Sequence, residues 1–156
     1  MKYYIKSKLR PYVKGPIREL LNRVQGLTNT SPPHEAIAAL VGKPDPTILE
    51  IGSNDGSDTL ALLRAMPQAT IYCFEPDARA VARFKGLFGS NLDKVTLFEV
   101  AVSHRSGKIN FYPSDGGDRP EGWDLSGSIR RPKNHLKAYP RIKFENTVNR
   151  DHLPFG

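Results

Sequence analysis

Short apolar runs alternate with amphipathic segments through the middle of the chain. Apolar runs at residues 47–51 and 70–74 have the length and composition of buried strands. Helical spacing of apolar residues follows each of them, at about residues 58–65 and 78–88, and a third strand is predicted over about 95–102. The order strand, helix, strand, helix, strand is typical of a parallel sheet with helices on its faces. An α/β, doubly wound fold is therefore predicted.

Weaker patterns flank this central block. An amphipathic helix is predicted over residues 16–25, and a short helix over His34–Val41 that ends at Gly42. Asp77 has the side chain and the position of an N-cap for the helix that follows it. A Ser-Gly turn then leads into a hairpin-like strand over 108–112. Beyond that strand the pattern predicts loops.

Length and charge divide the chain into three segments. We predict a basic helical extension and linker at 1–33, a core at 34–112 and a loop-rich basic segment at 113–156, all within one domain. The net charge of +7 belongs to the two ends, so the N-terminus is either a contact for anionic surfaces or a solvated helix face. With no run of about 18 apolar residues and no signal-peptide core, we expect a cytoplasmic protein. The single cysteine, Cys73, is expected to be a buried structural thiol.

The most informative feature is a glycine turn after the first strand of the core. Glu50 lies near the end of that strand, Gly52–Gly56 form the turn, and Glu75 ends the next strand. Glycines let a ligand approach the backbone, and Glu75 is placed to accept hydrogen bonds from two ribose hydroxyls. A dinucleotide fingerprint would need a glycine where this turn has Asn, and Glu50, Asp55 and Asp58 repel a pyrophosphate. These acids tolerate a sulfonium and an ammonium, so the turn predicts S-adenosylmethionine.

This turn and two downstream blocks resemble the FkbM family of S-adenosylmethionine-dependent methyltransferases. The blocks are Phe74-Glu75-Pro76-Asp77, and Ala101-Val102-Ser103 with the strand that ends Phe111-Tyr112. The resemblance covers roughly residues 47–112 and implies a Rossmann-like doubly wound parallel sheet of the class I methyltransferase type, incomplete at the C-terminus. It assigns the cofactor to ten residues: Glu50, Gly52, Ser53, Asn54, Asp55 and Gly56 around the methionine part, Glu75 on the ribose, and Pro76, Ala101 and Val102 at the ribose and adenine edge.

The resemblance also implies the reaction. Family members mostly resemble O-methyltransferases, so the expected acceptor is a hydroxyl on a sugar or another small-molecule or polysaccharide acceptor. Trp123 and Ser126 are the candidate substrate residues, because an indole stacks on a sugar ring or covers a cofactor. The family continues with a strand and an Asp-x-Glu-Gly block, which has no counterpart before Gly156. We therefore expect the chain to correspond to the N-terminal portion of such an enzyme.

The catalytic residues stay unassigned, and no metal site is predicted. His104 and His135 are isolated, and Asp115, Asp118 and Asp124 lie in patterns typical of turns as much as of a substrate or cation site. Two alternatives remain open. One is a methyltransferase-like domain that binds cofactor or a partner without turnover, and the other is an RNA methyltransferase, suggested by the basic composition. No binding to DNA is expected.

Overall fold

The computed structural model describes residues 34–89, 93–116, 124–144 and 147–154. The predicted helix over 16–25 and the candidate substrate residue Trp123 lie outside the described residues. The described chain falls into two compact units, 34–46 with 61–69, and 47–60 with the described residues from Thr70 onward. In these ranges no helix has both the length and the apolar content needed to cross a membrane.

The smaller unit contains α1 (His34–Val41) and the C-terminal part of α2 (Ser57–Ala65). The prediction for α1 is confirmed, including its end: Gly42 has φ +62°, and its N–H donates to the carbonyl of Ala38 over 3.0 Å. Leu62, Met66 and Ala69 are buried apolar residues of this unit.

The larger unit contains the predicted parallel sheet, with strand order β1-β2-β3. β1 (Thr47–Ile51) and β2 (Thr70–Phe74) have the predicted bounds, and β3 (Val95–Phe98) pairs in parallel with β2. The central strand β2 is the most deeply buried, because Ile71 and Cys73 are both inaccessible to solvent. The mixed α/β class with a parallel sheet is therefore confirmed.

Helix α3 (Ala78–Phe88) also has the predicted bounds, and its cap is confirmed. Asp77 accepts a hydrogen bond from the N–H of Arg79 over 3.0 Å, which satisfies a backbone donor of the first turn. The buried face of the helix consists of Ala80, Val81, Phe84 and Phe88. The rings of Phe84 and Phe88 stack with their centroids 4.7 Å apart.

The third predicted strand is wrong beyond Phe98. β3 ends there, Glu99 and Val100 intervene, and Ala101–Ser103 form β4 in a second sheet. β5 (Gly107–Phe111) forms one residue earlier than predicted, but its hairpin with β4 does not, since β8 (Val148–Pro154) lies between the two strands. β8 is parallel to β4 and antiparallel to β5. A strand from about 40 residues downstream thus supplies the hydrogen bonds that a local hairpin would have made.

The segment predicted as loop-rich contains regular elements in its described residues. These are β6 (Asp115–Gly116), α4 (Asn134–Ala138), β7 (Ile142–Lys143) and β8. Tyr112 and Ser128 form an antiparallel bridge, with backbone hydrogen bonds of 2.8 and 3.1 Å. This bridge brings residues 124–128 against the end of β5.

Candidate functional site

The glycine turn has three residues with positive φ: Gly52 at +83°, Asn54 at +49° and Gly56 at +82°. It is anchored to the end of β2, because the carbonyl of Phe74 accepts the N–H of Gly52 over 2.8 Å and that of Ser53 over 3.3 Å. The N–H of Gly56 donates to the carbonyl of Ser53 over 3.1 Å, which closes the turn. The left-handed conformation explains the glycines at both ends of the turn.

The two glycines face different surroundings. A Cβ atom on Gly56 would lie 2.8 Å from ring atoms of both Phe84 and Phe88, whereas one on Gly52 would meet nothing within 4 Å. Gly56 therefore lets α3 pack against the turn, and Gly52 borders open space. Ser53 between them is 4% exposed, and its buried hydroxyl oxygen has no hydrogen-bond partner in the described residues. A buried hydroxyl without a partner is a place where a polar ligand atom is expected.

Glu50 connects β1 to the start of α2. Its Oε2 accepts a hydrogen bond from the Thr59 hydroxyl over 2.6 Å and lies 3.7 Å from Sγ of Cys73. Burial raises the pKa of the Cys73 thiol to about 12, the hydrogen bond with Thr59 works against this, and the charge of Glu50 adds to it. The expectation of a buried structural thiol is confirmed, because Cys73 is free and fully buried.

Glu75 ties the glycine turn to the loop before α3. Its Oε2 accepts the N–H of Asn54 over 2.9 Å, and its Oε1 accepts the N–H of Asp77 over 2.8 Å. Glu75 is only 6% exposed to solvent. Burial raises the pKa of Glu75, and the charges of Asp77 and Asp124 raise it further, while the two backbone hydrogen bonds lower it. Sequence predicted this carboxylate beside the turn, and the structure brings the two together.

The remaining predicted residues are distributed around this centre. Asp55 Oδ1 accepts the N–H of Ser57 over 3.0 Å at the beginning of α2. Ala101 is buried and Val102 half-buried on β4, in the second sheet. The backbone N–H of Ser126 donates to the hydroxyl of Ser114 over 3.0 Å, which fixes the loop that carries Ser126.

An arginine beside Asp77 was not singled out from the sequence. Arg79 donates from Nε and Nη2 to the Asp77 carboxylate, over 3.1 and 2.7 Å, and from Nη2 to the carbonyl of Ser114 over 2.8 Å. Although burial raises the pKa of Asp77, the hydrogen bonds and charge of Arg79 and the charge of Arg150 lower it on balance. Arg150 also donates from Nε to the carbonyl of Pro76 over 2.7 Å.

A second arginine on α3 reaches the glycine turn. Arg83 lies four residues after Arg79, forms an ion pair with Asp124, and its Nη2 is 3.5 Å from Oδ1 of Asn54. Spacing of four residues places both guanidinium groups on one helix face, so the sequence did carry a signal for this pair. Arg150 has no comparable signal, since its position follows from the pairing of β8.

No protein-family model matches the chain. The chain is, however, similar to a methyltransferase over 94% of its length. That relative is the 2-O-methyltransferase NoeI of Sinorhizobium fredii (strain NBRC 101917 / NGR234), and the two are 44% identical over 146 residues. The chain spans 60% of the relative's own length. Within the part of the chain that the structure describes, no group of three or more His, Cys, Asp or Glu side chains is arranged to hold a metal ion.

Proposed function

We propose that this chain is part of an S-adenosylmethionine-dependent O-methyltransferase of the FkbM type, with a Rossmann-like class I fold. The observation that carries the proposal is the pair of acids Glu50 and Glu75, near the ends of adjacent parallel strands, on either side of a glycine turn that Glu75 itself anchors. Identity of 44% to a 2-O-methyltransferase supports methyl transfer to oxygen. We propose a sugar or another small-molecule or polysaccharide as the acceptor.

The side chains present fit the proposed cofactor. Each Glu75 oxygen accepts one backbone N–H and retains capacity to accept one more hydrogen bond, as two ribose hydroxyls require. The unpartnered Ser53 hydroxyl and the open space above Gly52 suit the polar methionine part. Pro76, Ala101 and Val102 are proposed for the ribose and adenine edge, as in the resemblance described above.

Charge distinguishes this cofactor from a dinucleotide. Glu50, Glu75 and the exposed Asp58 place carboxylates near the turn, and Arg83, whose guanidinium also reaches it, is paired with Asp124. This excess of carboxylates attracts a sulfonium and an ammonium and repels a pyrophosphate. When bound, the cofactor supplies an electrophilic methyl group. The chain's own residues would hold and orient it, and the buried Glu75 would keep water away from the ribose. For the acceptor we propose contacts with Trp123 and Ser126.

Isothermal titration with S-adenosylmethionine tests the binding step. We expect the parent chain to bind and Glu75→Ala to bind at least about tenfold more weakly, because two hydrogen bonds to a charged carboxylate are lost. Glu99→Ala is the matched control, since Glu99 is exposed and pairs with Lys85 rather than with the turn. Absence of binding by the parent chain, or equal affinity in Glu75→Ala, overturns the assignment.

Turnover is a separate question. Formation of S-adenosylhomocysteine in the presence of a mixture of neutral oligosaccharides measures it directly. Product that depends on both the saccharide and Glu75 supports the full proposal. If the chain binds the cofactor but forms no product with oligosaccharides or with any other acceptor class, RNA included, the result would favour a domain that binds cofactor without turnover.

A further inference from the structure

A cleft of about 510 Å³ opens beside the cofactor residues and has no role in the function proposed so far. It lies in the larger unit and is lined by residues at the beginning of α3, at the end of β5, and on β6, β7 and β8. Its volume falls within the range of about 300–1,000 Å³ that is typical of small-molecule sites. The cleft is continuous with the cofactor residues through Asp77, which lines it and whose N–H donates to Glu75.

Two charged side chains in the cleft stand at a distance that a ligand oxygen can bridge. Nη1 of Arg79 is 3.9 Å from Oδ1 of Asp115, which is beyond hydrogen-bond length. Arg79, which lines the cleft, is held by its bonds from Nε and Nη2 to Asp77 and Ser114, and these bonds leave the Nη1 donors for a ligand. Asp115 Oδ1 accepts the N–H of Gly116 over 2.7 Å. A hydroxyl between them accepts from the guanidinium and donates to the carboxylate.

The balance of charge and apolar surface indicates the class of ligand. The cleft is lined by cations at Arg79, Lys143 and Arg150, and by acids at Asp77 and Asp115. Near-balanced charge and an exposed carboxylate disfavour a polyanion, and the charged groups disfavour a purely apolar ligand. Phe111, Pro113 and Val148 supply an apolar wall. An apolar surface combined with paired donors and acceptors matches a sugar ring, which has an apolar C–H face and hydroxyls at its rim.

We propose that this cleft is a saccharide subsite, in which Arg79 and Asp115 bind a hydroxyl of a sugar unit that is not itself methylated. The inference rests on the proposed function and specifies the acceptor as a neutral oligosaccharide. Two hydrogen bonds connect the cleft to the cofactor residues: Arg150 donates to the carbonyl of Pro76, and the N–H of Asp77 donates to Glu75. A sugar bound in the cleft therefore adds binding energy that orients the neighbouring sugar for reaction.

Ligand-observed saturation-transfer NMR with the 156-residue chain tests the subsite. The probes are four neutral trisaccharides (maltotriose, cellotriose, mannotriose and N,N′,N″-triacetylchitotriose) and one anionic trisaccharide, trigalacturonate. Asp115→Asn is the test variant, because its amide oxygen keeps the bond to Gly116 while the charge is lost. Asp93→Asn is the matched control, since Asp93 is exposed and outside the cleft.

We expect at least one neutral trisaccharide to bind the parent chain and the Asp93→Asn control equally. Asp115→Asn should raise its Kd by about threefold to tenfold, because a charge-assisted hydrogen bond becomes a neutral one. The inference is overturned when no neutral probe binds, or when Asp115→Asn leaves Kd unchanged. It is also overturned when trigalacturonate binds more tightly than every neutral probe and binds Asp115→Asn more tightly than the parent chain. Titration of the same samples with S-adenosylmethionine separates the proposals: cofactor binding without saccharide refutes the subsite alone, and saccharide binding without cofactor refutes the proposed function.

Discussion

Alanine at the two ends of the glycine turn provides a matched test of how the turn is built. Gly52 and Gly56 have almost the same φ, +83° and +82°, so alanine at either position incurs a similar backbone cost of about 1–2 kcal/mol. Only at Gly56 does the new Cβ overlap a neighbour, with ring atoms of Phe84 and Phe88 both at 2.8 Å. Overpacking of this kind adds about 1–3 kcal/mol. We therefore expect a loss of about 2–5 kcal/mol in Gly56→Ala and about 1–2 kcal/mol in Gly52→Ala.

Urea unfolding followed by far-ultraviolet circular dichroism measures both variants against the parent chain. The difference between the two free energies of unfolding isolates the packing of the turn on α3, since the backbone cost cancels. Titration with S-adenosylmethionine adds a second comparison. Gly52→Ala should remain folded yet bind the cofactor more weakly, because its methyl group enters the space where we place the ligand. Equal destabilisation by the two substitutions would refute the packing argument.

Three buried ionisable groups allow further tests. The Cys73 thiol, with its pKa raised to about 12, should resist iodoacetamide at pH 8 until the chain is unfolded, and rapid labelling of the folded protein would contradict its burial. Because the pKa of Glu75 is raised, the stability that its protonated form gives the folded chain is full in acid and is lost as pH rises through the folded pKa. Protonation of Glu75 also removes a ribose acceptor. As pH is lowered, cofactor affinity should therefore begin to fall at a higher pH than an ordinary glutamate would require, and affinity that stays constant over that pH range argues against the ribose role. Asp77→Ala should cost about 1 kcal/mol in urea unfolding and Asp77→Asn less, because asparagine still caps α3. Since the pKa of Asp77 is lowered, the ion pair's share of that cost is present at neutral pH and disappears as pH falls through the folded pKa, so a cost that grows in acid would contradict the pairing with Arg79.

Local patterns predicted the first half of the larger unit closely. The bounds of β1, β2 and α3 follow from apolar runs that are bounded by Pro, Gly and Asp, and each of these signals acts over a few residues. The juxtaposition of the turn with Glu75 was also predictable, because adjacent parallel strands end at the same edge of a sheet. The pattern could not predict which groups the Glu75 oxygens bind, because that depends on where the backbone N–H groups of Asn54 and Asp77 point.

The second sheet illustrates what local patterns miss. β8 has few apolar residues, and its sequence Val148–Pro154 gives no sign that it inserts between β4 and β5. Its position depends on hydrogen bonds to strands about 40 to 50 residues away, for which periodicity contains no information. The cleft depends on the same pairing, because β8 carries Arg150 to Pro76. Sequence reasoning therefore left Asp115 open between a turn residue and a substrate or cation site, and did not single out Arg79.

Comparison of S-adenosylmethionine with NAD⁺ as ligands tests the central claim most directly. Both contain an adenosine whose ribose Glu75 would bind, but only the dinucleotide brings a pyrophosphate to the acids around the glycine turn. Titration of each compound into the parent chain should give saturable binding of S-adenosylmethionine and no measurable binding of NAD⁺ at the same concentrations. Binding of NAD⁺ with equal or higher affinity, or no binding of S-adenosylmethionine, would contradict the account.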